Sequence, residues 1–213
     1  RRAAAIVQNM LSFARKRDDQ WSSQDLVELL DAAVELASTD YDLKKKYDFR
    51  LIEIVKAYDP GLPLVPCEKQ MIQQVFLNIL RNGAEAMQNG PGADGARFVL
   101  RASHIGAMVC VEIEDNGPGM DEATRRRVFE PFFTTKPVGV GTGLGLSVSY
   151  FIVTENHGGS LSVEAVPDGG TRFIICLPLK RRLGSDADHG APLTSAGASV
   201  GAKAAADAGV SAD

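Results

Sequence analysis

The sequence has no run of about 18 consecutive apolar residues, so it offers no helix able to cross a bilayer. No signal-peptide pattern opens it. It has little net charge, −4, and no broad basic field, which argues against nucleic acid and against an anionic membrane surface as partners. Cysteine is scarce. Cys67, Cys110 and Cys176 lie far apart and show no metal-ligand spacing. They are expected to be reduced thiols in a core, in a cytoplasmic setting. Histidine is scarcer still in the first half: none precedes His104, and only His157 and His189 follow. The first residues are Arg1-Arg2 rather than methionine, and the chain is expected to be a piece of a longer protein.

What is present suits one packed domain with extras: 213 residues, of which 45% are hydrophobic. Residues 3–16 read as an amphipathic helix with Ala3, Ile6, Met10 and Phe13 on one face, expected to need a partner helix from elsewhere. A charged connector follows. Asp25 is placed to cap a helix carrying Leu26, Leu29, Leu30, Ala33 and Ala37. Residues 49–55 read as a strand, and Pro60, Pro63 and Pro66 mark a turn and a short extended piece. From about Leu183 onward the composition is Ala, Gly, Ser and Asp, which predicts a disordered tail.

Residues 68–88 give the strongest helical pattern, with Ile72, Phe76, Leu80, Gly83 and Met87 on one face. A polar stripe runs through Gln74, Asn78, Arg81, Asn82 and Glu85. Asn78 and Asn82 are four apart and therefore one turn from each other. Asparagine is a poor helix former, so the pair either meets a polar ligand or forms a solvated face. Strands at about 96–104 and 107–114 follow, the second ending in Asp115-Asn116-Gly117-Pro118-Gly119. After a short helix at 121–129 come Phe129 to Lys136 and then Gly139 to Leu146, with glycine at every second position. Such a loop leading into a helix can gather backbone N–H groups around a phosphate. Taken alone it serves equally well as a surface turn. The helix 144–157 ends at Gly158-Gly159, and strands 161–166 and 171–177 form a hairpin.

Four of these stretches occur together, in order. Gln74 to Met87 resembles the N box of sensor histidine kinases, Asp115 to Gly119 their G1 box, Phe129 to Lys136 their F box, and Gly141 to Leu146 their G2 box. The resemblance implies a two-layer α/β (α+β) sandwich, a mixed β-sheet with helices on one face, preceded by a single amphipathic helix. It implies a division into the end of a dimerisation helix with its connector at 1–20, a catalytic ATP-binding domain at 21–180, and the tail at 181–213. One feature departs from the family pattern. No histidine here has the context of a phosphoacceptor, so the acceptor is expected on a helix outside this chain.

The resemblance also implies roles. ATP and Mg²⁺ would be the ligands. Asp115 would accept a hydrogen bond from the adenine amino group, and Gly117 and Gly119 would let the backbone pass close to the base and sugar. Asn82 would offer its amide oxygen to the metal. Asn78, Asn82 and Lys136 are the candidate catalytic residues. Glu85, Phe133, Thr134, Thr135, Gly141, Thr142, Gly143, Leu144, Gly145 and Leu146 complete the candidate nucleotide site. Phe132 and Phe133 would anchor a lid. The related hydrolytic ATPases carry a water-activating glutamate four residues before the metal asparagine; Asn78 stands there and cannot take a proton. The implied activity is transfer of the γ-phosphate to a histidine on a dimerisation helix, and onward to the receiver domain of a response regulator. A homodimer is implied for the full-length protein. A hydrolytic ATPase of the same fold and a non-enzymatic nucleotide-sensing module are the alternatives.

Overall fold

A computed structural model describes residues 21–39, 48–88, 95–137, 141–167 and 169–181. The expected helix at 3–16, its connector and the expected tail lie outside the described residues. Chain order is β1 (Trp21–Gln24), α1 (Leu26–Thr39), β2 (Glu53–Tyr58), β3 (Val65–Glu68), α2 (Lys69–Gln88), β4 (Arg97–Ile105), β5 (Met108–Asp115), α3 (Glu122–Arg127), α4 (Gly145–Phe151), β6 (Ser160–Ala165) and β7 (Thr171–Pro178).

Five strands form one sheet in the order β2-β4-β5-β7-β6. β2 runs parallel to β4, and every other pairing is antiparallel, so the sheet is mixed as expected. Alternation decides the faces. Phe98, Leu100, Ala102, Val109, Val111, Ile113, Phe173, Ile175 and Leu177 all point inward. They meet Leu29, Leu30 and Ala33 of α1 and Ile72, Val75, Phe76, Ile79 and Leu80 of α2 in one core. Each such fully buried large side chain contributes about 1.5–3 kcal/mol. The outward positions carry charge instead. Arg101 and Arg172 both reach Glu114 at 2.7 Å.

Several expectations need correction. The strand expected at 49–55 begins with a 3₁₀ turn, Phe49–Leu51, because the Asp48 carboxylate accepts the Arg50 N–H and delays extension to Glu53. The long helix expected to reach His157 changes pitch to a π-helical turn over Ile152–Asn156. Two of the three cysteines are not reduced thiols: Cys110 and Cys176 form a disulfide. They face each other across the β5–β7 ladder on the outer side of the sheet, a pairing set by register rather than by spacing. Cys67 does fit the expectation. It is free and buried, and burial pushes its thiol up to about 12.

A second, two-stranded sheet pairs β1 with β3. Trp21 stacks on the His157 ring at 4.8 Å, and the Arg181 guanidinium lies 4.5 Å from the Trp21 ring centre. His157 accepts the Glu68 N–H at Nε2 and donates from Nδ1 to the Ile152 carbonyl. Both ring nitrogens are therefore occupied with backbone. This fixes the neutral tautomer, in line with burial holding its pKa below the ordinary histidine value. His157 is thus a structural peg at the end of the π-helical turn. His104 lies exposed near the end of β4.

Candidate functional site

The site is assembled on α2. The apolar stripe of this helix is buried, with Gly83 and Ala84 among its inner residues, which leaves Asn78, Asn82 and Glu85 half-buried along its flank. Gly83 sets how close the helix lies to the sheet. A Cβ there would stand 2.6 Å from the Phe98 ring and 3.3 Å from the Asp115 Cβ. Glycine is thus what lets the Asn82 turn approach the end of β5.

Asp115 is the last residue of β5 and is only 5% exposed. It points inward because it continues the alternation of Val109, Val111 and Ile113. Burial pushes its pKa up to about 6, against the pull of the Gly117 and Thr171 backbone amides, while the neighbouring Glu114 charge raises it further. The Gly117 N–H donates to Oδ1 at 2.9 Å. A Cβ on Gly117 would press on that same oxygen, also at 2.9 Å, and would lie 3.4 Å from the Met87 backbone nitrogen. The turn after β5 therefore runs against the last turns of α2. Gly119 has a φ of +75° and packs against the Gly170 backbone of the β6–β7 hairpin.

The third part comes from the segment before α4. Phe129 packs on Phe173 and Tyr150 and fixes the start of the segment. Phe133 lies beneath the Arg127 guanidinium at 4.4 Å, whereas the Phe132 ring is 54% exposed. Phe132 adopts φ +67°, unusual for a residue with a side chain, and donates its N–H to the Gly143 carbonyl at 2.8 Å. Gly143 itself sits at φ +65°, and a Cβ there would overlap the Phe132 backbone. Thr134 and Thr135 are exposed; Thr134 Oγ1 accepts the Lys136 N–H at 3.1 Å. Gly141 packs on Thr134 and Lys136, and Thr142 Oγ1 accepts the Leu144 N–H at 3.4 Å. Leu146 packs against the core.

These parts meet. The Lys136 Nζ lies 2.5 Å from Glu85 Oε2 and 3.3 Å from Asn82 Oδ1. Asn78 donates to the Gly145 carbonyl at 3.4 Å and to Ser149 Oγ at 3.3 Å, so it ties α2 to the start of α4. Asn78, Asn82 and Glu85 are therefore neither part of a bare solvated face nor buried orphans. Asn82 and Glu85 present an amide and a carboxylate oxygen to one point, and an ammonium occupies it. That donor pair suits a hard cation.

Two contributors escape a reading of the sequence. Thr171 stands opposite Asp115 in the β5–β7 register, is buried, and supplies a backbone amide to its carboxylate. Ser149, fully buried, is the partner of Asn78. Thr171 follows the hairpin glycines and alternates inward with Phe173, but its meeting with Asp115 appears only once strand register is known.

The glycines and carboxylate of this site fall within a match to a family model. Residues 67–181 match the family described as histidine kinase-, DNA gyrase B- and HSP90-like ATPase. Among curated proteins, the C4-dicarboxylate transport sensor protein DctS of Rhodobacter capsulatus is 34% identical over 179 residues, covering 84% of this chain and 26% of that protein. The signal transduction histidine-protein kinase AtoS of Escherichia coli is 32% identical, covering 82% of this chain and 26% of its own length. Among solved structures, the catalytic domain of histidine kinase ThkA superposes with a TM-score of 0.62 at 27% identity, covering 75% of this chain and 97% of that one. The mycobacterial sensor histidine kinase MprB gives 0.60 at 28% identity, covering 76% and 99%. The chain thus spans about a quarter of the length of these two curated relatives. Among the described residues no helix is long and apolar enough to cross a membrane.

Proposed function

The chain belongs to the histidine kinase-, DNA gyrase B- and HSP90-like ATPase family, and from that premise we propose that it is the ATP-binding catalytic domain of a two-component sensor histidine kinase. It would transfer the γ-phosphate of ATP to a histidine on a dimerisation helix outside this chain, for relay to a response-regulator aspartate. The observation that carries the reading is the buried, backbone-tethered carboxylate of Asp115, brought beside the Asn82 turn of α2 by the glycine at position 83.

In this reading Asp115 accepts the adenine amino group. A guanine carbonyl at the same place would face a carboxylate and be rejected. The Gly117 and Thr171 amides hold the carboxylate so that its free lone pairs face the base. Asn82 would hold Mg²⁺ through its amide oxygen, and the ion would supply positive charge to offset that of the phosphates. Lys136 adds a mobile positive charge at the phosphate end. Gly141, Gly143 and Gly145 turn backbone toward the phosphates, and Asn78 anchors the start of α4 beneath them. Phosphoryl transfer rests on positioning and charge neutralisation, and an imidazole is already nucleophilic. No general base is therefore required on α2, and Asn78 supplies none. The same feature disfavours the hydrolytic alternative. The relatives DctS and AtoS are named a sensor protein and a signal transduction histidine-protein kinase, which agrees with this assignment.

The test is complementation. This chain is mixed with a dimerisation-helix fragment bearing its histidine, in ATP and Mg²⁺. The expected product is acid-labile, alkali-stable phosphate on the fragment, lost in Asn82→Ala. Steady ATP hydrolysis by the chain alone without such transfer would support the hydrolytic reading instead.

A further inference from the structure

We propose that Glu85 and Lys136 form a latch. It holds the segment Phe132–Lys136 against α2 while nucleotide is absent, and the triphosphate opens it by drawing the Lys136 ammonium from Glu85 onto a phosphate oxygen. The inference rests on the nucleotide site described above and assigns Glu85 a positioning role within it, as the residue that stores the lysine rather than one that touches the ligand.

Three observations carry it. First, Lys136 Nζ sits 2.5 Å from Glu85 Oε2 and 3.3 Å from Asn82 Oδ1, so a cation already rests on the oxygens of the metal-binding turn. Asn82 and Glu85 are three apart on one helix and share a face, so a single ammonium reaches both. Second, the segment is pinned at its other end. The Phe132 N–H donates to the Gly143 carbonyl at 2.8 Å, with Phe132 at φ +67°. A non-glycine residue persists in that conformation only where its surroundings hold it there. The Lys136 N–H is tied to Thr134 Oγ1 and the Phe133 N–H to the Glu130 carbonyl, so backbone amides along the segment report its opening. Third, one ammonium has two possible anionic partners. Glu85 offers Lys136 a single carboxylate, whereas a triphosphate entering the site carries more negative charge and competes for the same ammonium. The Lys136 and Glu85 side chains are 33% and 37% exposed, so the pair is weak enough to exchange partners readily.

Hydrogen exchange of the nucleotide-free chain, read on a peptide spanning residues 132–137, tests the latch directly. Wild type is compared with Glu85→Gln, with Lys136→Gln, and with the double exchange Glu85→Lys plus Lys136→Glu. Each single change is expected to speed exchange about two- to fivefold, the range for a partly exposed ion pair. The double exchange is expected to restore protection, which a merely structural role for either residue would not produce. Calorimetry with Mg·ATP supplies the second readout. The double exchange should bind more weakly than wild type, because position 136 on the segment then offers the phosphates a carboxylate in place of an ammonium. Equal exchange in wild type and single variants, or no recovery in the double exchange, overturns the latch. Absence of any ATP binding by wild type, with exchange behaving as expected, overturns the nucleotide reading and with it the opening step, but leaves the ion-pair clamp.

Discussion

Asp115 bears opposing demands. A carboxylate buried at the end of a strand is poorly solvated, and burial lifts its pKa to about 6 from an ordinary 3.8. The sign follows from proton binding. Between these two values the native state holds more protons than the unfolded state, so this group's contribution to stability declines as pH rises through that window and stays low above it. The penalty at neutral pH is on the order of 3 kcal/mol. Asp115→Asn is therefore expected to raise the melting temperature of the nucleotide-free chain at pH 7.5, with the gain disappearing below about pH 4, as thermal unfolding across pH would show. The same change should weaken ATP binding by about 10- to 100-fold, since an amide can present an NH₂ to the adenine amino group. Wild-type affinity should also fall below about pH 6 relative to the variant. A variant both less stable and equally able to bind would mean the carboxylate is structural.

At the scale of elements, the ladder between β5 and β7 gathers the features least visible in the sequence. Register places Cys110 opposite Cys176, Glu114 opposite Arg172 and Asp115 opposite Thr171. The disulfide closes a loop with a sequence separation of 66 residues. Reduction, or the pair Cys110→Ser and Cys176→Ser, is therefore expected to destabilise the domain by about 2–4 kcal/mol. Chemical denaturation with and without reductant measures this. Alkylation of the unreduced, unfolded chain should label Cys67 alone. Labelling of all three thiols would restore the original expectation of free cysteines.

The contrast with α2 is physical. A long amphipathic helix writes its face into a period of 3.6, and the buried Ile72, Phe76, Leu80 and Met87 follow it. The polar stripe was readable too, because Asn78 and Asn82 are costly in a helix unless something meets them. Strand pairing is a long-range choice and leaves no local trace, so the disulfide and Thr171 were hidden. β1 is four residues long, too short for alternation to declare itself, and only its pairing with β3 and the Trp21–His157 stack define it. The π-helical turn was hidden for another reason: Ile152 and Val153 suit an α-helix as well, and it is the His157 bond to the Ile152 carbonyl that occupies a backbone acceptor there.

For the molecule as a whole, the proposed function depends on three separate stretches converging. Residues 78–85 supply amide and carboxylate oxygens, residues 115–119 the buried carboxylate and its turn, and residues 132–136 and 141–145 the lysine and glycines. Chain connectivity does not bring them together; the sheet does, by ending β5 beside α2 and returning β7 beside β5. The most direct measurement of that convergence is calorimetry on the intact chain with ATP and GTP, each with and without Mg²⁺. The account predicts Mg²⁺-dependent binding of ATP, weakened by Asn82→Ala and by Asp115→Asn, and little binding of GTP. Equal affinity for the two nucleotides, or ATP binding indifferent to both substitutions, would contradict it.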